Sequence, residues 1–100
     1  MNLLPKYVIS ELPKLYATEN DADPIVRCKF FLPGTKWTWY VLEYDGEDNF
    51  FGYVVGSESE LGYFSLKELK GARGAFGLPI ERDLYFKPQP LSSVKKLLES

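Results

Sequence analysis

Apolar and polar positions alternate through the middle of the chain, and the strands that this pattern predicts lie between Ile25 and Ser65. In Ile25–Leu32, Val26, Cys28 and Phe30 face one way and Arg27 and Lys29 the other, the signature of a half-buried strand. Pro33-Gly34-Thr35-Lys36 supplies a hairpin turn into Trp37–Tyr44, an unbroken aromatic and β-branched run that reads as the central strand. Strict alternation there puts Trp37, Trp39, Val41 and Glu43 on one face and Thr38, Tyr40, Leu42 and Tyr44 on the other. Loop 45–49 leads into a strand over 50–56, and a polar turn at 57–60 leads into a fourth strand, Leu61–Ser65. Four strands in sequence with short connections predict an antiparallel meander.

The flanks change period. Leu3, Leu4, Tyr7, Val8 and Leu12 have helical spacing, which predicts a helix over 3–11 with Asn2 as its cap and Pro13 as its stop. Leu12–Tyr16 then reads as extended, and Thr18–Pro24 as a polar loop. Ser65-Leu66-Lys67-Glu68 is a capping box opening a helix over about 66–72, followed by a glycine-rich connector at 71–77. Leu78–Phe86 predicts a fifth strand, and Leu91, Val94, Leu97 and Leu98 form the apolar stripe of a C-terminal helix. The expected architecture is α+β: an antiparallel meander of four to five strands packed with short N-terminal, middle and C-terminal helices.

Composition narrows the function classes. One hundred residues make one domain with its own core. A net charge of −2 and the absence of a Lys/Arg cluster speak against non-specific duplex binding. No apolar run reaches the roughly 18 residues of a membrane span, and the N-terminus lacks the pattern of a secretion signal. The single cysteine, Cys28, fits a buried small hydrophobe in a reducing compartment, so a cytoplasmic protein is expected.

There is no histidine, which removes the commonest general base and most zinc sites. No catalytic residue, metal site or cofactor is therefore assigned. The acids Glu19, Asp21 and Asp23 share the early spacing of a calcium loop but lack its glycine and closing glutamate, so a solvated loop is the better account. Glycines 71–77 do not form a phosphate-binding pattern. Candidate binding residues are Trp37, Trp39, Glu43, Tyr63, Glu81, Arg82 and Asp83. Tryptophan, tyrosine and arginine dominate protein interfaces, and an unidentified protein partner is the favoured expectation. One alternative is single-stranded nucleic acid stacking on Trp37, Trp39, Tyr40, Tyr53 and Tyr63 beside Arg27, Lys29 and Lys36. Another is a metal-dependent, nuclease-like enzyme built on Glu43, Glu60, Glu81 and Asp83. If Glu43 is buried, Arg27, Lys29 or Arg82 is its expected partner; Trp39 is expected inside and Trp37 outside.

The segments Leu12–Glu19, Asp23-Pro24, Lys29-Phe30-Phe31, Trp37–Tyr40, Phe51-Gly52, Glu60–Leu66 and Glu81-Arg82-Asp83 carry a further signal. Together they resemble the small single-domain family known as domain of unknown function 2958, over nearly the whole chain. The family has no established activity, so the resemblance transfers no catalytic residues. It implies a setting: an accessory protein of bacterial plasmids, phages and conjugative elements, acting on host or defence machinery.

Overall fold

The computed structural model describes residues 1–99, and the meander is its frame. Strands β2 (Cys28–Phe31), β3 (Thr38–Tyr44), β4 (Asn49–Val55) and β5 (Ser59–Ser65) follow one another in antiparallel order, and the short β6 (Glu81–Arg82) pairs with the outer side of β2. The sheet order is therefore β5-β4-β3-β2-β6. A second, two-stranded sheet joins β1 (Ile25–Val26) to β7 (Gln89–Pro90). Three helices, α1 (Lys6–Ile9), α2 (Leu66–Gly71) and α3 (Leu91–Glu99), complete the α+β fold.

The two faces of the large sheet are covered unequally. Beneath one face, Leu3, Leu4 and Val8 from the N-terminal segment and Leu69 from α2 close over Phe30, Val41, Tyr44, Phe50 and Phe64. Phe50 is the hub: its ring stacks on Tyr44 at 4.5 Å and on Phe64 at 5.2 Å, and meets Phe30 edge-on at 5.8 Å. Such offset and edge geometries suit the quadrupoles of aromatic rings. On the other face Leu91 and Val94 of α3 and Val26 of β1 pack on Tyr40 and Leu42, a smaller cluster.

Several elements depart from the expected ones, each for a local reason. Helix α1 is one turn, not 3–11; Pro5 sits at its start, and Leu3 and Leu4 enter the core from the preceding bend. Residues 12–16 form no strand: a turn begins at Leu15, and the Tyr16 N–H is drawn to Glu43. The strand expected over 25–32 breaks at Arg27, whose N–H donates to Val41 O at 2.9 Å. Val26 consequently packs in the α3 cluster while Cys28 and Phe30 pack in the main core, so the three do not share a face. Of the fifth strand expected over 78–86, Glu81 and Arg82 join the large sheet and Pro79 makes an isolated bridge with Arg73; at Asp83 the side chain accepts the Tyr85 N–H at 2.9 Å and turns the chain away. In α3, Leu91 and Val94 are buried, whereas Leu97 and Leu98 are exposed.

The serine half of the capping box at α2 forms, with Ser65 Oγ accepting the Glu68 N–H at 2.9 Å. Asp48 completes the cap from a neighbouring loop: its carbonyl and carboxylate accept the Leu66 and Lys67 N–H groups at 2.8 and 2.9 Å. Asp23 does the same for α3, taking the Ser92 N–H at 2.9 Å and its hydroxyl at 2.6 Å.

Candidate functional site

The site begins with one extra residue in the central strand. The register between β3 and β4 runs from Val41↔Gly52 directly to Glu43↔Phe51, which leaves Leu42 unpaired in a β-bulge. A bulge shifts every following side chain to the other face. Glu43 therefore leaves the tryptophan face that alternation assigns to it and joins Leu42, Phe51 and Tyr63 on the α3 side. Tyr44 moves the opposite way, into the main core against Phe50.

Glu43 is only 3% exposed. Burying a carboxylate is costly unless hydrogen bonds replace its water. The replacement does not come from Arg27, Lys29 or Arg82. Glu43 Oε1 accepts the Tyr16 N–H at 2.8 Å, and Oε2 accepts both the Thr18 N–H at 2.9 Å and the Thr18 hydroxyl. These charge-assisted bonds pin the turn that follows Pro13. Within that turn Tyr16 adopts φ 70°, a left-handed conformation that costs a side-chain-bearing residue about 1–2 kcal/mol.

That turn overhangs a cleft of about 420 Å³. Leu42, Phe51, Leu61 and Leu91 line its apolar part, Tyr16 and Tyr63 flank it, and Glu19, Asp21 and Lys95 bring charge to it. Both tyrosines are open to solvent, at 61% and 59% exposure. The Tyr63 phenol is held above its ordinary pKa, first by local desolvation, then by its hydrogen bond with Tyr16 and the negative charges of Glu43 and Glu19. Lys95 Nζ lies 5.2 Å from the centre of the Tyr53 ring, so this face already holds one cation over a tyrosine.

The other candidate residues lie elsewhere. Trp37, 40% exposed, stacks on the half-buried Trp39 with ring centres 6.0 Å apart, and its ring occupies the space where a Cβ at Gly56 would stand. Trp39 packs on the main core, on the face opposite Tyr40, Tyr53 and Tyr63, so the proposed stacking aromatics are divided between two faces. Glu81 lines a separate cleft of about 530 Å³ between the N-terminus and α2, with Lys70 and Arg73. Arg82 is buried: its guanidinium donates to the carbonyls of Asn2 and Leu3 at 3.2 and 2.9 Å and to the Tyr7 hydroxyl at 3.1 Å. Asp83 pairs with Lys29 at 3.6 Å. Of the seven candidates, Glu43 and Tyr63 meet at this cleft, whereas Trp37 and Trp39 stack on each other and Arg82 and Asp83 line a third cleft. Among the described residues no three His, Cys, Asp or Glu side chains are placed to hold a metal ion. Cys28 is a core residue whose thiol burial pushes up to about 12.

Tyr16, Thr18 and Lys95 belong to the site but not to the residues singled out from sequence. A signal for the first two existed. A glutamate inside an apolar strand needs donors, and a turn after a proline can supply backbone N–H groups as well as any cation can.

The chain belongs to the family described as protein of unknown function (DUF2958), whose model matches residues 4–98. No curated protein and no solved structure matches it. Among the described residues no helix is long and apolar enough to cross a membrane.

Proposed function

We propose that this protein is a non-enzymatic interaction module that takes a basic side chain of a protein partner against the exposed faces of Tyr16 and Tyr63. The observation that carries this reading is the use of a buried carboxylate to hold a strained tyrosine open to water. Strain of this kind persists only where the surroundings over-determine it, and such positions cluster at functional sites. Guanidinium and ammonium groups bind over tyrosine faces, and Glu19 and Asp21 add complementary charge at the same cleft.

The competing readings have less support. A groove for single-stranded nucleic acid needs positive charge beside its aromatics, whereas this cleft is acidic and Lys29 is engaged with Asp83. A carboxylate enzyme needs converging acids, and Glu43, Glu81 and Asp83 line three different clefts. The setting suggested by the family resemblance, a cytoplasmic accessory protein of mobile DNA acting on host or defence machinery, is compatible with such a module.

The test is a nuclear magnetic resonance titration with an arginine-containing peptide and its neutral citrulline counterpart. The arginine peptide is expected to shift the Tyr16, Thr18 and Tyr63 amides, and the citrulline peptide to leave them in place. Equal shifts with both peptides, or none with either, overturn the reading.

A further inference from the structure

We propose that the free edge of β5 accepts an extended basic segment of the partner as an added strand, with alternate side chains entering the Tyr16–Tyr63 cleft. The proposal rests on the reading of that cleft as a site for a basic side chain, and extends it to the backbone of the partner.

The edge is open and regular. β5 ends the strand order and pairs with β4 in unbroken register from Asn49↔Ser65 to Val55↔Ser59. Two bonds fix the phase of the ladder: Gly56 N–H to Glu58 O at 2.9 Å at the hairpin end, and Leu66 N–H to Asp48 O at 2.8 Å at the other. Counting inward from either end makes 54/60, 52/62 and 50/64 the hydrogen-bonded pairs. Ser59, Leu61 and Tyr63 fall in the intervening pairs, so their N–H and C=O groups point away from β4, off the edge of the sheet. Exposed edges are usually blunted by proline, lysine, a bulge or brevity. β6, at the opposite edge, is two residues long, but β5 has seven, with no proline, lysine or bulge and the acid Glu60 as its one charge.

The same residues present backbone and cleft together. Leu61 and Tyr63 line the cleft with their side chains while offering the edge with their main chains. A strand added there would place its residues opposite Leu61 and Tyr63 on the cleft face, beside Tyr16, Glu19 and Asp21. Charge selects the occupant: Glu19 and Asp21 line the cleft with Lys95 as its one lining cation, and Glu60 adds a negative charge on the other face of the same edge strand. A second copy of this chain would bring the acidic groups of both molecules onto one seam, so a basic partner segment is the better fit.

The test compares three capped peptides: one with arginine alternating with threonine, one with glutamate in place of arginine, and the arginine peptide N-methylated on the residues whose N–H faces the edge. The arginine peptide is expected to bind at least about tenfold more tightly than either of the others. On the protein side, Leu61→Pro removes an outward N–H while sparing the ladder to β4, and should weaken binding about tenfold beyond the loss in Leu61→Ala, which trims the same cleft side chain but keeps the N–H. If Leu61→Pro does not fold, by circular dichroism, the N-methylated peptide decides alone. Unimpaired binding of that peptide, with binding still lost in Tyr16→Gly, overturns the edge proposal and leaves the cleft reading standing. No preference for arginine over glutamate overturns both. A dimer in sedimentation that Leu61→Pro dissociates would assign the edge to a second copy and overturn the proposal.

Discussion

At the scale of single residues, Glu43 is where stability and display are coupled. Removing a buried acceptor leaves its donors without partners, and bonds to a charged group are worth more than neutral ones. Glu43→Ala is expected to cost about 3 kcal/mol in urea unfolding, with the Tyr16–Thr18 amides losing protection from hydrogen exchange before the sheet does. Tyr16 should behave in the opposite sense. Its φ of 70° suits glycine, so Tyr16→Gly is expected to leave stability unchanged or raise it by about 1 kcal/mol while abolishing arginine-peptide binding. A gain in stability joined to a loss of binding is the mark of a residue kept for recognition rather than for the fold. Large destabilisation of Tyr16→Gly in the same unfolding experiment would show that the ring serves the core instead.

At the scale of elements, loops and caps carry what the strands leave unsettled. Asp45 closes the β3–β4 turn by accepting the N–H groups of Glu47, Asp48 and Asn49 at 2.8, 2.9 and 3.0 Å, which lowers its pKa from 3.8 to about 2. A carboxyl whose folded pKa is depressed contributes stability that is present above its unfolded value and lost as pH falls through the folded one. The thermal midpoint should therefore drop between about pH 4 and pH 2, and drop less steeply in Asp45→Asn. At the far end of the sheet, Gly56→Ala should push the Trp37 ring off the hairpin and shift tryptophan emission to longer wavelength. The meander itself was legible in the sequence, because period-two alternation and Pro-Gly or Asp-Gly turns act locally. The bulge at Leu42 was not: nothing in Val41-Leu42-Glu43 differs from a regular strand, and the slip answers contacts with Thr18 and Tyr16, distant in sequence. The break at Arg27 was hidden for the same reason, since β1 is drawn out of the strand by β7 near the other end of the chain. Glu43 thus stood out in the sequence as the acid of an apolar strand, while its face and its hydrogen-bond donors were not legible there.

At the scale of the whole molecule, the cleft exists because the sheet is covered unevenly. The N-terminal segment and α2 close one face, and on the other α3 and β1 cover Tyr40 and Leu42 but leave the cleft side of β5 open. A net charge of −2 spread over 100 residues produces little long-range field, so attraction of a basic segment must come from the groups around the cleft. Those groups are exposed, and exposed charges are screened over about 8 Å at physiological salt. Arginine-peptide affinity should accordingly fall about tenfold between roughly 0.05 and 0.5 M salt, whereas an interaction driven by apolar burial would hold or strengthen. Lys95 lines the cleft and opposes the same attraction by like charge, so Lys95→Ala should tighten binding about threefold at low salt and lose that advantage at high salt. Titrations of both proteins across the salt series separate the two causes. A salt-independent gain in Lys95→Ala would mean that the lysine obstructs the cleft sterically, and a fall in affinity would make its stacking on Tyr53 part of the wall against which the partner packs.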